Sequence, residues 1–329
     1  MRTLRLELDP WNPDPVILGE AAGVIRHGGL VAFPTETVYG LGANALDPEA
    51  VKKIYAAKGR PSDNPLILHL SRPEQAEPLV HADERAQRLM TAFWPGPLTL
   101  VLKAKDTVPS VTRGGLETAA LRMPDHPVAS ALIEAAGCPV AAPSANASGR
   151  PSPTDAQTVW EDLQGRVDMI LDSGPVRVGI ESTVVDVSAE RPLLLRPGGM
   201  SREALEGFLG VPLGVPDGQS KRRSPGTRYR HYAPVISVKV WVPGTPLALE
   251  GEAPGDWAFM GLSEPPAHFG RALRFTSVEN YARGLFAGFR ALETAWRGIV
   301  VEWPPEKGMG LGLRDRICRA ASAGKLEGQ

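Results

Sequence analysis

Apolar and polar positions alternate along the chain with two different periods, and this pattern predicts an α/β protein. Short apolar runs at 30–33, 66–70 and 98–103 are typical of buried strands. Between such runs, apolar residues recur every three to four positions, as in 127–136, which is typical of amphipathic helices. The same patterns predict further strands at 118–123, 139–142, 169–172 and 182–187 and further helices around 83–93, 155–163 and 201–209. We therefore expect a first α/β or α+β domain that ends near residue 211.

Proline and glycine positions predict where the first two helices begin and end. Asp14 and Asp47 each precede a proline, and an acidic residue before proline is typical of a helix N-terminus. Gly28 and Gly59 follow the two periodic stretches, and glycine is typical of the position after a helix. We therefore expect one helix between each aspartate and the glycine that follows it.

A segment without any period divides the chain into two predicted domains. Residues 212–234 are rich in Gly, Pro and polar residues, which is typical of a linker. They separate a domain over 1–211 from a smaller domain over 235–329. The smaller domain has apolar runs at 235–242, 256–262 and 298–303 and helical patterns at 277–296 and after 312. This alternation favours a small Rossmann-like α/β fold.

Charge balance and cysteine content exclude several classes of protein. The chain has 36 Lys and Arg against 37 Asp and Glu, so it is not a globally basic nucleic-acid coat protein. Hydrophobic residues make up 43% of it, an ordinary share for a globular protein with a core. Cys138 and Cys318 belong to no metal-binding cluster, so we expect neither a zinc site nor a disulfide framework. The N-terminus resembles a strand rather than a leader, and we expect a cytoplasmic protein.

The linker and its C-terminal flank carry charge of one sign. From Gly218 to Leu249 there are six Lys and Arg residues and no acidic residue. One interpretation is a solvated basic tether. The other is a lid that is attracted to a bound anion and closes over it with Tyr232. The sequence pattern leaves both interpretations open.

Polar segments beside the predicted strands carry the candidate chemistry. Lys58 and Arg60 stand at a predicted helix end, where they fit either a helix-terminal charge or a clamp for a polyphosphate. His69 lies in a strand of alternating character, which fits either a half-buried histidine or a ligand contact. The sequence has no P-loop, no nucleophile elbow and no HExxH motif. The glycine-rich stretch 308–312 lacks the third glycine of a dinucleotide-binding turn, so it predicts a tight turn instead.

Taken together, the polar segments resemble those of the YrdC-like family in content and order. Within that family, the chain is similar to the long, two-domain L-threonylcarbamoyladenylate synthases. The resemblance is dense over about 200 residues and continues through the linker. Its motifs are FPTETVYGLG (33–42), KGRPSDNPLILHL (58–70), WPGPLTLVL (94–102), LRMPDHP (121–127), APSANASGRPSPT (142–154), GIESTVVDV (179–187), LLRPGGM (194–200) and SPGTRYRHYAP (224–234).

The resemblance implies a fold and a reaction. The fold is a YrdC-like twisted mixed sheet with flanking helices, followed by the smaller α/β domain. The reaction joins L-threonine, bicarbonate or CO2, and ATP into L-threonylcarbamoyl-AMP with release of pyrophosphate. Mg²⁺ is expected on the ATP phosphates rather than in a protein-built site. The product then serves a separate tRNA threonylcarbamoyl-transferase complex, and direct binding of tRNA by this chain stays open.

Matching the motifs residue by residue implies two groups of site residues. The L-threonine group is Thr35, His69, Arg122 and Ser182. The ATP group is Lys58, Arg60, Asn64, Thr118, Ala142, Ser144, Ser152, Arg196, His231 and Tyr232, of which Lys58 and Arg60 are also the candidate catalytic residues. No residue is assigned to a metal ion.

Two other functions remain open at this point. The first is an RNA-binding module, suggested by the basic linker. A net charge of -1 and an aromatic content of 6% count against it as the main activity. The second is the YrdC-like carbamoyltransferase of hydrogenase maturation. That enzyme carries zinc-binding parts that two isolated cysteines cannot supply.

Overall fold

The computed structural model describes residues 2–218, 220–224 and 232–322, and its strands form two sheets. The strands of the larger sheet are β1 (Leu4–Glu7), β2 (Val31–Phe33), β3 (Gly40–Asn44), β4 (Ile67–His69), β5 (Val80–His81), β6 (Leu98–Ala104), β7 (Thr118–Arg122), β8 (Val140–Ala141), β9 (Met169–Asp172), β10 (Thr183–Asp186) and β11 (Leu193–Arg196). In the described part of the chain their order is β1-β9-β2-β3-β8-β4-β7-β6-β10-β11, with β5 beside β6. Parallel and antiparallel pairs are mixed.

Helices flank this sheet and begin and end at the residues that the sequence predicts. They are α1 (Pro15–Arg26), α2 (Pro48–Lys58), α3 (Glu84–Phe93), α4 (Pro127–Ala136), α5 (Ala156–Leu163) and α6 (Arg202–Leu209). Asp14 and Asp47 accept hydrogen bonds from backbone amides of the first turns of α1 and α2 at 2.8 and 2.9 Å. Gly59 ends α2 in the left-handed conformation at φ 63°. These predictions are confirmed.

The smaller sheet follows the linker. Its elements are β12 (Ser237–Trp241), β13 (Trp257–Gly261), β14 (Arg271–Arg274), α7 (Val278–Leu292), β15 (Gly298–Glu302) and α8 (Gly310–Ser322). The strands pair in parallel in the order β12-β15-β13-β14, and a hydrophobic core joins them to α7 and α8. The predicted fold class, a large mixed sheet with helices and a smaller Rossmann-like α/β domain, is confirmed.

The sequence pattern does not predict β3, because glycine replaces the usual β-branched residues there. Gly42 faces the ring of Phe33 on the neighbouring strand, and a Cβ at this position would lie 2.7 Å from that ring. The glycine is therefore required by packing, although it weakens the strand signal.

Strand register brings several predicted site residues to one face of the larger sheet. His69 lies beside Arg122 in the parallel pair of β4 and β7, and Thr99 lies beside Arg122 from β6. Because side chains alternate between faces along a strand, Thr118 shares this face with Arg122. The sequence motifs therefore meet on this face, although they are distant along the chain.

The second domain packs against loops of the first. Gly312 of α8 lies against the backbone of Gly198, and a Cβ on Gly312 would approach the Cα of Gly198 to 2.9 Å. The glycine in the first turn of α8 thus permits a close contact between the two domains. Within the described residues, no helix has the length and apolar character needed to cross a membrane.

Candidate active site

A cavity lies where the polar face of the larger sheet meets the linker residue Tyr232. Three guanidinium groups and one carboxylate line it among the described residues, which favours anionic ligands. The predicted site residues that line it are Thr35, Arg60, His69, Arg122, Ala142, Ser144, Ser182, Arg196 and Tyr232.

Arg122 lies at one end of the cavity and is positioned by the loop after β2. Its Nη2 lies 2.7 Å from Oε1 of Glu36 and donates to the hydroxyl of Thr37 at 2.9 Å. Glu36 and Arg122 are both buried, and no described group directs an aligned hydrogen bond to either Glu36 oxygen. The pair is thus a charge contact between Arg122, which lines the cavity, and Glu36, which does not. The sequence analysis assigns no role to Glu36.

Hydroxyl groups and a neutral histidine surround the same end. The Thr35 hydroxyl donates to the Val38 carbonyl at 2.6 Å, which fixes the turn after β2. The Ser182 hydroxyl lies 2.8 Å from that of Thr99. Burial and the nearby Arg122 charge lower the pKa of His69 to about 3, so its ring is neutral near pH 7. This end can therefore bind a carboxylate through Arg122 and form hydrogen bonds with other polar groups of the same ligand.

Arg60 lies at the other end of the cavity. Its Nη2 donates to the Pro65 carbonyl at 3.2 Å, and its buried Nε has no hydrogen-bond partner among the described groups. Burial lowers the pKa of Arg60 to about 10, and the guanidinium remains charged near neutral pH. Pro65 is four residues before His69 along the chain, so Arg60 and Arg122 contact different segments of the cavity wall. The cavity thus offers separate guanidinium groups to two anionic ligands.

Two further predicted ATP residues lie near this end without lining the cavity. Asn64 is fully buried, and neither polar atom of its side-chain amide has a hydrogen-bond partner among the described groups. Thr118 lies two positions before the Ala120–Ile67 pair, which places it beside Pro65 in the strand register. It lines a separate surface cavity. Their assignment to ATP stays a prediction.

Lys58 does not line the cavity, unlike Arg60. Its ammonium donates to the carbonyl oxygens of Ser144 and Asn146, and burial lowers its pKa well below the ordinary value. The left-handed Gly59 between the two cations turns the chain, so their side chains point in different directions. The assignment of both cations to phosphate stays a prediction. In this structure Arg60 lines the cavity, and Lys58 holds the loop that presents Ser144.

Ser152 and Arg196 connect to the loop before β10. The Ser152 hydroxyl donates to the carboxylate of Glu181 and does not line the cavity. Arg196 donates to the Ser182 carbonyl at 2.9 Å and to its hydroxyl at 3.2 Å. Arg196 thus fixes Ser182 and adds positive charge to the cavity wall.

Glu181 is a cavity residue that sequence reasoning did not assign. Burial raises the pKa of its carboxyl group, but the charges of Arg316 and Arg196 and the Ser152 hydrogen bond outweigh this and hold the pKa below its ordinary value. It is therefore ionised near neutral pH. Its place beside Ser182 in the GIEST motif was the available signal.

Tyr232 closes one side of the cavity and is buried at 4% exposure. Its backbone adopts a φ of 69°, which is unusual for a residue other than glycine. The predicted ATP residue His231 lies outside the described residues, as do Arg228 and Arg230 of the linker. In the described ranges, no group of three or more His, Cys, Asp or Glu side chains could hold a metal ion.

Comparisons with known protein families give two matches along the chain. The model for Sua5, YciO and YrdC proteins, described as "Telomere recombination", matches residues 23–198. The model described as "Threonylcarbamoyl-AMP synthase, C-terminal domain" matches residues 200–322. The two matches together cover the linker, the smaller sheet and all strands of the larger sheet except β1.

Curated proteins and solved structures agree with these matches. A threonylcarbamoyl-AMP synthase of Bacillus subtilis is 45% identical over 325 residues, covering 94% of this chain and 93% of that protein. One of Pyrococcus abyssi is also 45% identical over 325 residues, covering 92% of this chain and 93% of that protein. The crystal structure of P. abyssi Sua5 complexed with L-threonine has a TM-score of 0.87 at 41% identity, covering 98% of both chains. The likeness therefore extends over both domains.

Proposed function

The chain belongs to the threonylcarbamoyl-AMP synthase family, and from this premise we propose that it forms L-threonylcarbamoyl-AMP. Its substrates are L-threonine, bicarbonate or CO2, and ATP, and pyrophosphate is released. The main observation that supports this proposal is that Arg122 and Arg60 line the same cavity. One end suits an amino-acid carboxylate and the other a polyphosphate.

We propose that L-threonine binds at the Arg122 end. The guanidinium pairs with the substrate carboxylate, because Arg offers paired donors to a planar anion. Thr35 and Ser182 offer hydroxyls to the substrate side chain and amine. The His69 ring, neutral near pH 7, adds one donor or acceptor without adding charge. In support of this placement, the P. abyssi structure was solved as a complex with L-threonine.

We propose that the ATP phosphates lie toward Arg60 and Arg196. Asn64 supplies an amide with no partner of its own among the described groups, and Ser144 and Ala142 form the wall of the nucleotide site. Lys58 acts through the loop at Ser144 rather than on phosphate. Ser152 acts through Glu181 in the same way.

The reaction needs alignment more than a protein base. The threonine nitrogen takes up CO2 to give an N-carboxylate, which attacks the α-phosphorus while pyrophosphate leaves. Two anions must approach, so the cations of the cavity lower their repulsion and binding in one cavity aligns them. Each effect is worth several kcal/mol of barrier. Tyr232 keeps water from the mixed anhydride that forms.

We propose that the ATP phosphates would carry Mg²⁺, which would supply charge neutralisation there. The described cavity lining contains one carboxylate, Glu181, and it is already bonded to Ser152 and Arg316. The donor set thus fits an ion that is held mainly by phosphate oxygens and water. Asn64 and Ser144 carry the neutral side-chain oxygen atoms that would be available as ligands to such an ion.

The proposed product is a labile adenylate, so a second enzyme must accept it. We propose that a tRNA threonylcarbamoyl-transferase complex takes over the threonylcarbamoyl group for N6 modification of adenosine in tRNA. Charge complementarity to RNA is not required of this chain for that transfer.

Pyrophosphate release tests the proposed function. We expect release from ATP that requires both L-threonine and bicarbonate, each omitted in turn, and recovery of the adenylate by mass spectrometry. Release that does not depend on threonine would contradict the proposal.

A further inference from the structure

Arg316, on α8 of the second domain, is fully buried although it carries a permanent charge. Its Nε donates to Oε2 of Glu181 at 2.6 Å, and its Nη1 donates to the Pro197 carbonyl at 2.9 Å. Arg316 does not line the cavity, whereas Glu181 does. The second domain therefore supplies a cation that is ion-paired with the carboxylate in the cavity wall.

The same guanidinium holds Tyr232. The Arg316 Cζ lies 5.2 Å from the centre of the Tyr232 ring, a distance typical of a cation–π contact. Phe286 of α7 stacks on this ring with centroids 5.4 Å apart and an interplanar angle of 26°. Two side chains of the second domain therefore fix the tyrosine that closes the cavity.

From these contacts we propose that Arg316 is a positioning residue for adenylate formation, acting on the ATP end through Glu181 and Tyr232. The proposal rests on the proposed function of the cavity. Without Arg316, the Glu181 carboxylate would lose its ion pair and keep only the Ser152 hydrogen bond and the charge of Arg196, so its negative charge would repel the triphosphate more strongly. Tyr232 would also lose the guanidinium that contacts its ring. Threonine contacts at Arg122, Thr35 and Ser182 would remain in place.

A second interdomain pair provides the matched control. Arg290 of α7 pairs with Asp162 at 2.6 Å and donates to the Pro151 carbonyl at 2.9 Å. This pair is about as buried as the Arg316 pair, but neither partner lines the cavity. If Arg316 only joined the domains, Arg316→Ala and Arg290→Ala would have the same consequences.

The kinetic experiment compares Arg316→Ala, Arg290→Ala and wild type in the pyrophosphate assay on the full chain. We expect Arg316→Ala to raise the KM for ATP at least about tenfold and to change the KM for threonine less than about threefold. Adding Glu181→Gln to Arg316→Ala should recover much of the ATP loss, because it removes the unpaired anion. Arg316→Lys should be intermediate and provides a folded variant if the alanine variant is unstable. Equal KM changes in the Arg316 and Arg290 variants, or no recovery with Glu181→Gln, would overturn the proposal.

A measurement without substrates separates this proposal from the proposed function. Hydroxyl-radical footprinting reports the exposure of Tyr232 in the tryptic peptide 231–239, which contains no other tyrosine. We expect faster oxidation of Tyr232 in Arg316→Ala than in Arg290→Ala. Equal oxidation would overturn the positioning role even if the wild type is an active synthase. A wild type that fails to release pyrophosphate would contradict the function, while the footprint would still decide whether Arg316 holds Tyr232.

Discussion

The Glu36–Arg122 pair allows folding and threonine binding to be separated by a double-mutant cycle. Both side chains are buried, at 1% and 4% exposure, and their closest charged atoms are 2.7 Å apart. Removing Arg122 alone leaves a buried carboxylate without a compensating charge, which costs about 3–5 kcal/mol. We therefore expect Arg122→Gln to lower the free energy of unfolding by that amount.

Neutralising both partners removes the cause of this instability. The double variant Glu36→Gln/Arg122→Gln loses mainly the Arg122 bonds to Thr37 and the Gly96 carbonyl, worth about 1 kcal/mol each. It should therefore be more stable than Arg122→Gln by about 1–3 kcal/mol. Threonine use should not recover, because the charge-assisted bonds to its carboxylate are worth about 1.5–3 kcal/mol, or roughly 10- to 150-fold in KM.

Urea unfolding followed by circular dichroism gives the stabilities, and threonine-dependent pyrophosphate release gives the KM values. Glu36→Gln completes the cycle and serves as its control. A double variant as unstable as Arg122→Gln would show that the charge pair is not the source of the instability. A double variant with the wild-type KM for threonine would remove Arg122 from the threonine site.

Three further predictions follow from the cavity geometry. Arg60→Ala should raise the KM for ATP roughly 10- to 150-fold. Lys58→Ala should mainly lower the free energy of unfolding, by about 1–3 kcal/mol, because two carbonyl groups lose their donor. A stable Lys58→Ala variant that cannot use ATP would contradict this. The pKa of His69 is about 3 in the folded chain and near 6.5 when unfolded, so His69 adds stability that is complete above about pH 6.5 and is lost as the pH falls toward 3. Between pH 6.5 and 5, wild type should lose about 2 kcal/mol of its free energy of unfolding through His69, and the His69→Gln variant should not show this loss. Urea unfolding at both pH values measures the difference, and an equal pH dependence of the two proteins would refute the prediction. Valine lacks the side-chain hydroxyl for which we propose Thr35 and Ser182 as hydrogen-bond partners, so it should be used at least about tenfold less efficiently than threonine. Equal turnover of the two amino acids would show that Thr35 and Ser182 are not the specificity contacts.

Local features of the fold could be predicted because local chemistry determines them. Asp14 and Asp47 cap their helices through bonds to residues two positions later, and Gly59 ends its helix by its own backbone freedom. The site segments are also recognisable in the sequence, because they are short polar motifs in or beside predicted strands and helix ends.

Contacts between distant segments could not be predicted in the same way. Arg316 and Glu181 are 135 positions apart, and no local period relates them. Lys58 and Arg60 show the opposite difficulty, because they are neighbours in sequence that face different surroundings. Lys58 contacts the Ser144 loop and Arg60 lines the cavity, and the left-handed Gly59 between them separates their directions.

The geometry of Tyr232 explains why the site depends on both domains. A residue other than glycine in the left-handed region costs about 1–2 kcal/mol, so the surrounding structure must hold it there. The first domain contributes a bond from the Ala233 amide to the Gly149 carbonyl at 3.1 Å, and the second contributes Phe286 and Arg316. The proposed threonine contacts, by contrast, come entirely from the first domain. Under the proposed site assignment, this division suits an enzyme with a labile product. The first domain would select the amino acid, and the ATP end would be closed to water where the two domains meet.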